Sequence, residues 1–462
     1  MGFSIRAIDA ESNFCSELNL EAIARAVPPS EIEAVIDQCG VREQRQRKLN
    51  AFVTVLLMIA MNLYTHMSIG RVMRKMAQGL RYVWPEPEYE VAHDAALCYR
   101  RYQLGAQPLV ALFHRLCRPM ATPQTKGAFL FGLRMMAIDG TVEDIPDTPE
   151  NAAFFGRHHG SRGDAAFPQV QCVYLAECGT HAIVDAGFWP YHTGEYKGAF
   201  RLLRSVEPGM LVMWDRGLHA YDLVAGVRQR DSHVLARLAA NIKPTVVRRL
   251  ADGSYLARLY PSEYRRRKRG EHLEVRIVEY TVTDPALPGY GEPHRLMSTL
   301  LDPQVAPALE LVWAYHERWE IEITVDETRT HQRLLDRPLR SRKVAGVIQE
   351  LYGLLIAHYV LRFLMHEAAL EADADPDRIS FTQALNVVQD AIPEFQMTAP
   401  EQLPRLYRRL LHDMVDELLP PRRARTNPRV VKRKMSNFGL KRPQHYHWPQ
   451  PSTPFQQAVA VI

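Results

Sequence analysis

Cysteine is scarce in this sequence, and no two cysteines are paired along the chain. The six cysteines are scattered between residues 15 and 178, and none forms a Cys-x-x-Cys motif. This pattern indicates neither a zinc site nor a disulfide framework. Reduced thiols in a cytosolic protein are therefore the expectation.

Long apolar runs are also missing. The first residues lack the apolar core of a signal peptide. The run Ala51–Ala60 is too short to cross a bilayer, and the segment 351–365 is interrupted by His358 and Arg362. The sequence therefore predicts no membrane segment and a cytoplasmic location.

The sequence also lacks a strong excess of positive or negative charge. The net charge is only +5 over 462 residues, so the distribution of charge matters more than its sum. The length is sufficient for two to four domains with a sizeable core.

The first part of the chain, residues 1–120, is typical of helices throughout. Short basic helices joined by tight breaks, including one with Arg71 and Arg74 and one with Arg100 and Arg101, suit a helix-turn-helix type of DNA-binding unit. The alternative is a plain helical bundle whose arginines face water.

The second part, residues 121–340, changes to strands. Arg134–Thr141 is typical of a buried strand that ends in an Asp-Gly turn, and Met210–Asp215 is a second apolar run that ends in Asp. The predicted order is three strands, helix, strand, helix, strand. That order is the one expected of a ribonuclease-H-like core in a mixed α/β and α+β fold.

An insertion of antiparallel strands interrupts this order at about residues 242–294. It contains the run Arg265–Arg269, with Arg266 and Arg267 at its centre. Five consecutive positive charges cannot be folded inward, so this run is solvated or meets a polyanion.

The rest of the chain divides into helices at residues 341–420 and a tail at residues 421–462. Between Pro421 and Arg442 there are nine Lys or Arg residues and no acid. This composition predicts a mostly extended basic tail that binds DNA phosphates; the alternative is a tail ordered against the preceding domain.

One charged helix-like segment carries Tyr315, Arg318, Glu322 and Arg329. On a continuous helix these spacings place all four side chains on one face. A carboxylate with two guanidiniums and a phenol suits a divalent metal and a phosphate. The alternative is a solvated helix stabilised by ion pairs between successive turns.

Asp139 and Asp215 change the balance between these alternatives. Each follows an apolar strand, so two adjacent parallel strands would bring both carboxylates to one sheet edge. Bound cations would relieve their repulsion, and oxygen ligands favour two Mg²⁺ or Mn²⁺ ions. Glu322 completes this set; Asp326 shares its helix face and is the competing third acid.

These motifs together resemble the bacterial DDE transposases of the insertion-sequence-four group. The family signature is Tyr, two residues, Arg, three residues, Glu, six residues, Lys, and here Arg329 stands where Lys is usual. Asp139 in "IDGT", followed by "IPDTPENAAFFG", and Asp215 in "WDRG" resemble the family's two aspartates. The basic piece "RVVKRKMSNF" is similar as well, so the resemblance covers nearly the whole chain.

The resemblance implies a ribonuclease-H-like catalytic domain with a β insertion between the second Asp and the Glu. It implies binding to the terminal inverted repeats of an insertion sequence in double-stranded DNA, metal-dependent cleavage there, and transfer of the 3′-OH ends to target DNA. It further implies a dimer or higher oligomer on DNA and association with the bacterial nucleoid. Tyr315, Arg318 and Arg329 are then expected to bind DNA.

One departure from the family concerns cleavage through a DNA hairpin. Some relatives use a Trp in the insertion to hold a flipped base, but residues 215–312 contain no Trp. Tyr255, Tyr260, Tyr264 and Tyr290 could stack on a base instead.

Two other functions stay open at this point. One is a catalytically inactive DNA-binding regulator derived from a transposase, although no acid of the motif is lost. The other is a structure-specific nuclease with the same core, which would cleave DNA without joining it.

Overall fold

The computed structural model describes most of the chain. The described residues are 4–9, 12, 17–18, 20–45, 49–85, 92–160, 163–218, 220–239, 242–287, 289–333, 338–420, 430–431, 439–451 and 453–462. They form two compact units. The first comprises residues 1–129, 137–205 and 320–419, and the second comprises residues 130–136, 206–319 and 420–462.

Helices dominate the first unit. In chain order the α-helices of the described residues are α1 Pro29–Gln38, α2 Ala51–Leu63, α3 Ile69–Met76, α4 Leu80–Val83, α5 Asp94–Leu104, α6 Gln107–Leu116, α7 Pro149–Phe155, α8 Glu195–Leu202, α9 Tyr221–Arg228, α10 Tyr264–Lys268, α11 Ala308–Glu317, α12 Trp319–Asp326, α13 Val344–Glu371, α14 Phe381–Met397 and α15 Leu403–Val415.

The centre of the first unit is the contact between α2 and α13. Both helices are apolar over most of their length and almost wholly buried. Asn50 caps α2 by accepting the backbone N–H of Val53 at 2.8 Å. The helices approach closely at Gly353, where a Cβ atom would lie 2.9 Å from the carbonyl oxygen of Met58. A larger residue at position 353 would therefore force the two backbones apart.

Of the predicted acids, Asp139 lies on a strand and Asp215 directly follows one. In chain order the strands are β1 Phe129–Leu130, β2 Leu133–Asp144, β3 His159–Gly160, β4 Gly163–Asp164, β5 Gln169–Glu177, β6 Ile183–Pro190, β7 Met210–Trp214, β8 His233–Arg237, β9 Thr245–Arg249, β10 Tyr255–Leu259, β11 Leu273–Val282, β12 Pro293–Ser298, β13 Val430–Val431, β14 Gly439–Leu440 and β15 Val459–Val461.

The largest sheet is mixed, with the strand order β6-β5-β2-β7-β8-β12-β11-β10-β9. In the first unit, β5 and β6 form an antiparallel pair, and in the second, β7 and β8 are parallel. The protein is thus a mixed α and β fold with a large central sheet, as the sequence predicts.

The insertion is well predicted by sequence alternation. Strands β9, β10, β11 and β12 pair antiparallel in the second unit. The basic run forms the short exposed helix α10, which agrees with its expected solvation.

The end of the chain differs from a simple extended tail. Strand β15 pairs antiparallel with β11, with Val459 opposite Val282. The basic segment at residues 421–442 lies mostly outside the described residues, which include only 430–431 and 439–442 of it. The DNA-binding role of this segment stays a prediction, as does the division of the chain into four domains.

Two local predictions are wrong. Strand β2 does not end at an Asp-Gly turn but continues through Gly140 to Asp144. The helix expected to run unbroken from Tyr315 to Arg329 is divided: α11 ends at Glu317, α12 starts at Trp319, and a π-helical turn occupies Glu327–Gln332. Spacing on one continuous helix therefore cannot fix the position of Arg329.

Helix α13 passes a length and composition test for a membrane span. However, 83% of its most apolar window is buried inside the protein. The polar side chains of His358 and Arg362 are also buried there.

Candidate active site

Asp139 lies in the middle of β2, directly after the buried residues Met135–Ile138. Its Oδ1 atom accepts the backbone N–H of Gly140 at 2.9 Å. A Cβ atom at Gly140 would lie 2.5 Å from Oε1 of Glu195, the first residue of α8. The absence of a side chain at Gly140 thus lets the Glu195 carboxylate approach the strand beside Asp139, which sequence reasoning did not foresee.

Arg329 is held against the same strand. Its Nη1 atom donates to Thr141 Oγ1 at 2.8 Å, and its Nε atom lies 2.9 Å from Glu143 Oε1. Asp139, Thr141 and Glu143 alternate along β2 and therefore share one face of it. The structure thus brings Arg329 to the Asp139 face of the strand.

Glu143 is the buried anchor of this arrangement. It is 4% exposed and also forms an ion pair with Arg333 at 2.5 Å. Two guanidiniums therefore share one carboxylate, and this arrangement fixes the Arg329 side chain while leaving it one-third exposed. Had the sequence shown that β2 continues past Asp139, its alternation would have identified Thr141 and Glu143.

The two candidates for the third acid differ in their surroundings on α12. Glu322 is half-buried, whereas Asp326 is exposed. Asp326 accepts a hydrogen bond from the Thr330 hydroxyl at 2.5 Å and lies 3.3 Å from His331 Nε2. The described partners of Asp326 are thus local residues of the following turn.

Asp215 follows β7 directly and belongs to the second unit. Its Oδ1 atom accepts the backbone N–H of Gly217 at 2.7 Å, within a short 3₁₀ turn. The carboxylate is therefore oriented by the backbone of the residues that follow it.

Tyr315 is buried near this turn in the same unit. Its hydroxyl donates to the carbonyl of Trp214 at 3.4 Å, and the Arg318 guanidinium lies 5.5 Å from the centre of its ring. Burial raises the pKa of Tyr315 to about 12, with Arg318 opposing the rise and Asp215 adding to it. The phenol therefore stays protonated near neutral pH and acts as a hydrogen-bond donor.

Arg100 and Arg101, the pair expected to bind DNA, make contacts inside the first unit. Arg100 pairs with Glu43 and donates to Gln103 at 3.2 Å. Arg101 is 6% exposed. A contact of Arg101 with DNA would require its internal hydrogen bonds to break.

Those bonds join α5 to α13. The Arg101 guanidinium donates to Gln349 Oε1 at 2.7 Å, to the Gly346 carbonyl at 2.7 Å and to Ser341 Oγ at 2.5 Å. Glu350 lies next to them and accepts the backbone N–H of Arg340 at 3.0 Å. We call Arg101, Ser341, Gln349 and Glu350 the α5–α13 clasp.

The two predicted arginines of the basic run also differ from each other. Arg266 donates to Asp222 at 2.6 Å and to Glu271 at 3.0 Å. Arg267 is exposed and donates to the carbonyl of Ser262 at 3.2 Å. Both stay predicted DNA-binding residues, and Arg267 is the more accessible.

Potential metal-ligand groups occur elsewhere among the described residues. Two sets place three ligand atoms within 4.8 Å of one another: His181, Glu320 and Asp377, and the surface set His412, Asp413 and Asp416. Asp139 and Glu322 belong to the first unit and Asp215 to the second, and their role as metal ligands stays a prediction.

Comparison with known families decides the identity. Residues 17–114 match the N-terminal model of the insertion element 4 transposases, and residues 131–360 match the transposase DDE domain. The chain belongs to the insertion element 4 family of DDE transposases. The family expected from the spacing of the motifs is confirmed, and this membership implies an enzyme that cleaves and transfers DNA.

Two curated relatives from Escherichia coli K12 agree with this assignment. The chain is 27% identical over 436 residues to "Transposase InsG for insertion sequence element IS4", covering 92% of this transposase and 95% of that relative. It is 27% identical over 143 residues to "Putative transposase InsZ", covering 29% of this chain and 46% of that one.

A solved structure of the piggyBac transposase synaptic complex with hairpin DNA is also similar. The identity is 12%, the coverage is 92% of this chain and 90% of that chain, and the TM-score is 0.41. At this TM-score the likeness supports no conclusion about the transposase described here.

Enzymes with a DDE domain generally use divalent metal ions.

Proposed function

We propose that this transposase binds the terminal inverted repeats of its own insertion sequence, cleaves the DNA there, and joins the freed 3′-OH ends to target DNA. The observation that carries the proposal is Arg329, held on the Asp139 face of β2. Such an arrangement provides a carboxylate for a metal ion beside a guanidinium for a phosphate.

The strand order supports a ribonuclease-H-like core. Counted from β2, the strands β6-β5-β2-β7-β8 have the order 3-2-1-4-5, with the antiparallel pair on one side and the parallel pair on the other. Asp139 lies on β2, and Asp215 directly follows β7.

Asp139, Asp215 and Glu322 are the residues that would hold the metal ions. Their donor set consists of carboxylate oxygens, which fits Mg²⁺ or Mn²⁺. Two such ions, when bound, would activate the attacking water or hydroxyl and stabilise the leaving oxygen. Cationic side chains of the protein are expected to add binding to the phosphates of the DNA backbone.

The neighbouring side chains supply that binding. Arg329 can grip a phosphate through the guanidinium edge that its ion pair with Glu143 does not occupy. Tyr315 and Arg318 would orient the DNA backbone near Asp215, with the phenol in its protonated form. Arg267, on the exposed helix α10, would add affinity for DNA phosphates.

The decisive experiment uses the whole protein, Mg²⁺ and linear DNA that carries the ends of its own element. The proposal expects both cleaved ends and strands joined to a target. Binding without cleavage would favour the catalytically inactive regulator, and cleavage without joining would favour the structure-specific nuclease. The same reaction, followed by size-exclusion chromatography, tests the predicted dimer or higher oligomer on DNA.

A further inference from the structure

A buried polar cluster lies in the first unit behind the helix that carries Glu322. His181 lies in the turn between β5 and β6, Glu320 in the first turn of α12, and Asp377 in the 3₁₀ turn Pro376–Arg378. Because Glu320 and Glu322 are two residues apart on a helix, their side chains point to nearly opposite sides. The cluster is therefore separate from the predicted catalytic acids.

The three side chains have the spacing of metal ligands. His181 Nε2 lies 3.1 Å from Asp377 Oδ1 and 3.8 Å from Glu320 Oε2. In a tetrahedral zinc site with bonds of about 2.1 Å, neighbouring ligand atoms are about 3.4 Å apart. The two observed separations lie on either side of this value.

The imidazole nitrogen is directed into this space. His181 is 0% exposed, and within the described part of the chain its Nε2 atom has no hydrogen-bond partner. Asp377 Oδ1 lies 3.1 Å from Nε2, a separation that suits an ion pair with a protonated ring or two ligands of one metal ion. A buried nitrogen without a partner is costly, and a metal ion between the two carboxylates would remove that cost.

The other ring nitrogen also lies near a carboxylate, in addition to the Arg362 guanidinium. His181 Nδ1 lies 3.2 Å from Glu327 Oε1, and Glu327 is itself held by Arg362 and by His358 Nε2 at 3.1 Å. Histidines that bind metals commonly donate their second N–H to a carboxylate, which fixes the tautomer and the ring.

Buried carboxylates surround the His181 ring. Glu320 and Glu327 are at most 4% exposed, and the side chain of Asp377 is 17% exposed. Arg362 is the guanidinium that pairs with Glu327. A backbone N–H from Gly179 reaches Glu320 at 2.5 Å. The ring of His181 is thus surrounded by carboxylates, whose oxygens are ligands for a divalent ion.

We propose that His181 Nε2 and the carboxylates of Glu320 and Asp377 bind one Zn²⁺ ion with a structural role. One imidazole and two carboxylates suit Zn²⁺, and the absence of paired cysteines does not bear on such a set. The ion joins the β5–β6 turn, the start of α12 and the segment after α13. It thereby fixes the helix from which Glu322 extends.

A metal-free arrangement is the competing possibility. Arg362 Nη2 lies 2.5 Å from His181 Nδ1. If Nδ1 accepts that hydrogen bond, Nε2 carries a proton and faces the carboxylates in place of a metal. Burial and Arg362 lower the pKa of His181, but Asp377 and Glu327 outweigh them and raise it to about 9. A metal ion therefore has to displace a proton.

Zinc retention by the full-length, untagged protein decides between the two arrangements. The protein is loaded with Zn²⁺, desalted in excess Mg²⁺ to fill the predicted catalytic acids, and analysed for zinc by mass spectrometry. We expect about one Zn²⁺ per chain. His181→Gln and Asp377→Asn should each lower the retained zinc at least tenfold, because each removes a ligand.

Two controls separate this site from others. His358→Gln disturbs the same buried cluster without removing a ligand, and His412→Gln removes the histidine of the surface set. Both should retain the zinc of the unaltered protein. The proposal is overturned if the wild-type protein retains no zinc after desalting. It is also overturned if the wild type and Asp377→Asn retain equal amounts of zinc.

A second measurement covers the case in which a ligand variant fails to fold. Co²⁺ added to the metal-free wild-type protein should give the visible absorption of a low-symmetry site, and Zn²⁺ should abolish it by displacement. Zn²⁺ should also raise the thermal unfolding midpoint, because it binds only the folded chain. No absorption and no change in the midpoint would equally reject the site. This test uses no DNA, so it is independent of transposition.

Discussion

Arg329 donates a hydrogen bond to Thr141, two residues beyond Asp139 on the same strand. The pairing is enforced by Glu143, which binds Arg329 and Arg333 together. The helix spacing alone would not have produced it, because a π-helical turn contains Arg329. The guanidinium expected to grip phosphate is therefore positioned by a strand and not by its own helix.

Each of the three acids should be indispensable for catalysis. Asp139→Asn, Asp215→Asn and Glu322→Gln keep side-chain size but remove a charge that binds metal. Each should lower end cleavage by at least about 10³-fold, and double variants should lower it little further, because the ligands act as a unit. Gel assays of cleavage and of DNA binding measure this, and binding should survive.

Asp326→Asn is the matched control for the third acid. Asp326 lies on the same helix as Glu322 but is exposed and paired with local residues. It should retain cleavage. Full activity of Glu322→Gln, or loss of activity in Asp326→Asn, would reassign the third acid.

Arg329 should increase the rate at which bound DNA is cleaved. Arg329→Gln should slow cleavage on the order of 10²-fold, since it removes a charged donor to phosphate. Arg329→Lys should retain more activity because it keeps the charge without the bidentate geometry. Single-turnover cleavage with saturating enzyme is the measurement. Arg333→Gln, which loses the same partner Glu143, should be affected less; an equal loss would mean that Arg329 is merely structural.

The exposed arginines of α3 are the better candidates for binding the terminal repeats. Arg71 and Arg74 are both exposed and lie one turn apart. Replacing both with Ala should weaken binding of the element ends and lower the slope of log affinity against log salt by about 1.8, for two lost phosphate contacts. Filter binding across a salt series measures this slope. An unchanged slope would exclude these side chains from the interface.

Acid should remove the stabilisation that the α5–α13 clasp provides. Burial opposes ionisation of Glu350, but Arg340 and Arg101 outweigh it and hold the pKa of Glu350 below its ordinary value of 4.5. The stabilisation is therefore complete above pH 4.5 and is lost as the pH falls through the lowered pKa. In denaturant unfolding, the free-energy gap between wild type and Glu350→Gln should stay constant from about pH 8 to about pH 5 and narrow below.

Arg101→Ala tests the contribution of the guanidinium to the stability of the α5–α13 clasp. Removing one partner of a buried charged network costs about 3 kcal/mol, and this loss should be larger than that of Arg100→Ala. Binding of element ends by the folded Arg101→Ala protein should change little at a temperature where the variant remains folded. A selective loss of end binding would instead restore Arg101 as a DNA contact.

The basic tail should add affinity without sequence preference. Replacing Lys432, Arg433 and Lys434 with Gln leaves the strand β15 intact and removes three charges. Binding to end DNA and to random DNA should weaken by the same factor, because phosphate contacts carry no sequence information. Competition binding measures both, and a loss confined to end DNA would contradict this role.

Periodicity predicted much of the fold. The apolar run Met210–Asp215 matches β7, and the antiparallel strands expected at about residues 242–294 are present, because apolar runs and alternation are local signals. Asp139 was assigned to a strand end because Asp-Gly usually marks a turn, but the neighbouring strands hold that segment extended. The break after Glu317 and the π-helical turn also had no local signal.

The candidate site was harder to predict than the strands, because it is formed by contacts between residues that are distant in sequence. Arg101 and Gln349 are 248 residues apart, and His181 and Glu320 meet across 139 residues of sequence. A single sequence cannot show which of its many arginines will find a buried acid. Thr141 and Glu143 were hidden for a different reason, because the predicted strand stopped before them.

The α5–α13 clasp also limits how freely this protein can be recombined with its relatives. Helix α5 belongs to the segment matched by the N-terminal family model, whereas Ser341, Gln349 and Glu350 belong to the DDE segment. A chimera whose exchanged segment lacks the matching residue would leave a buried guanidinium or a buried carboxylate without its complement. The two segments are separate in family classification, yet a successful exchange requires that position 101 and its three partners stay compatible.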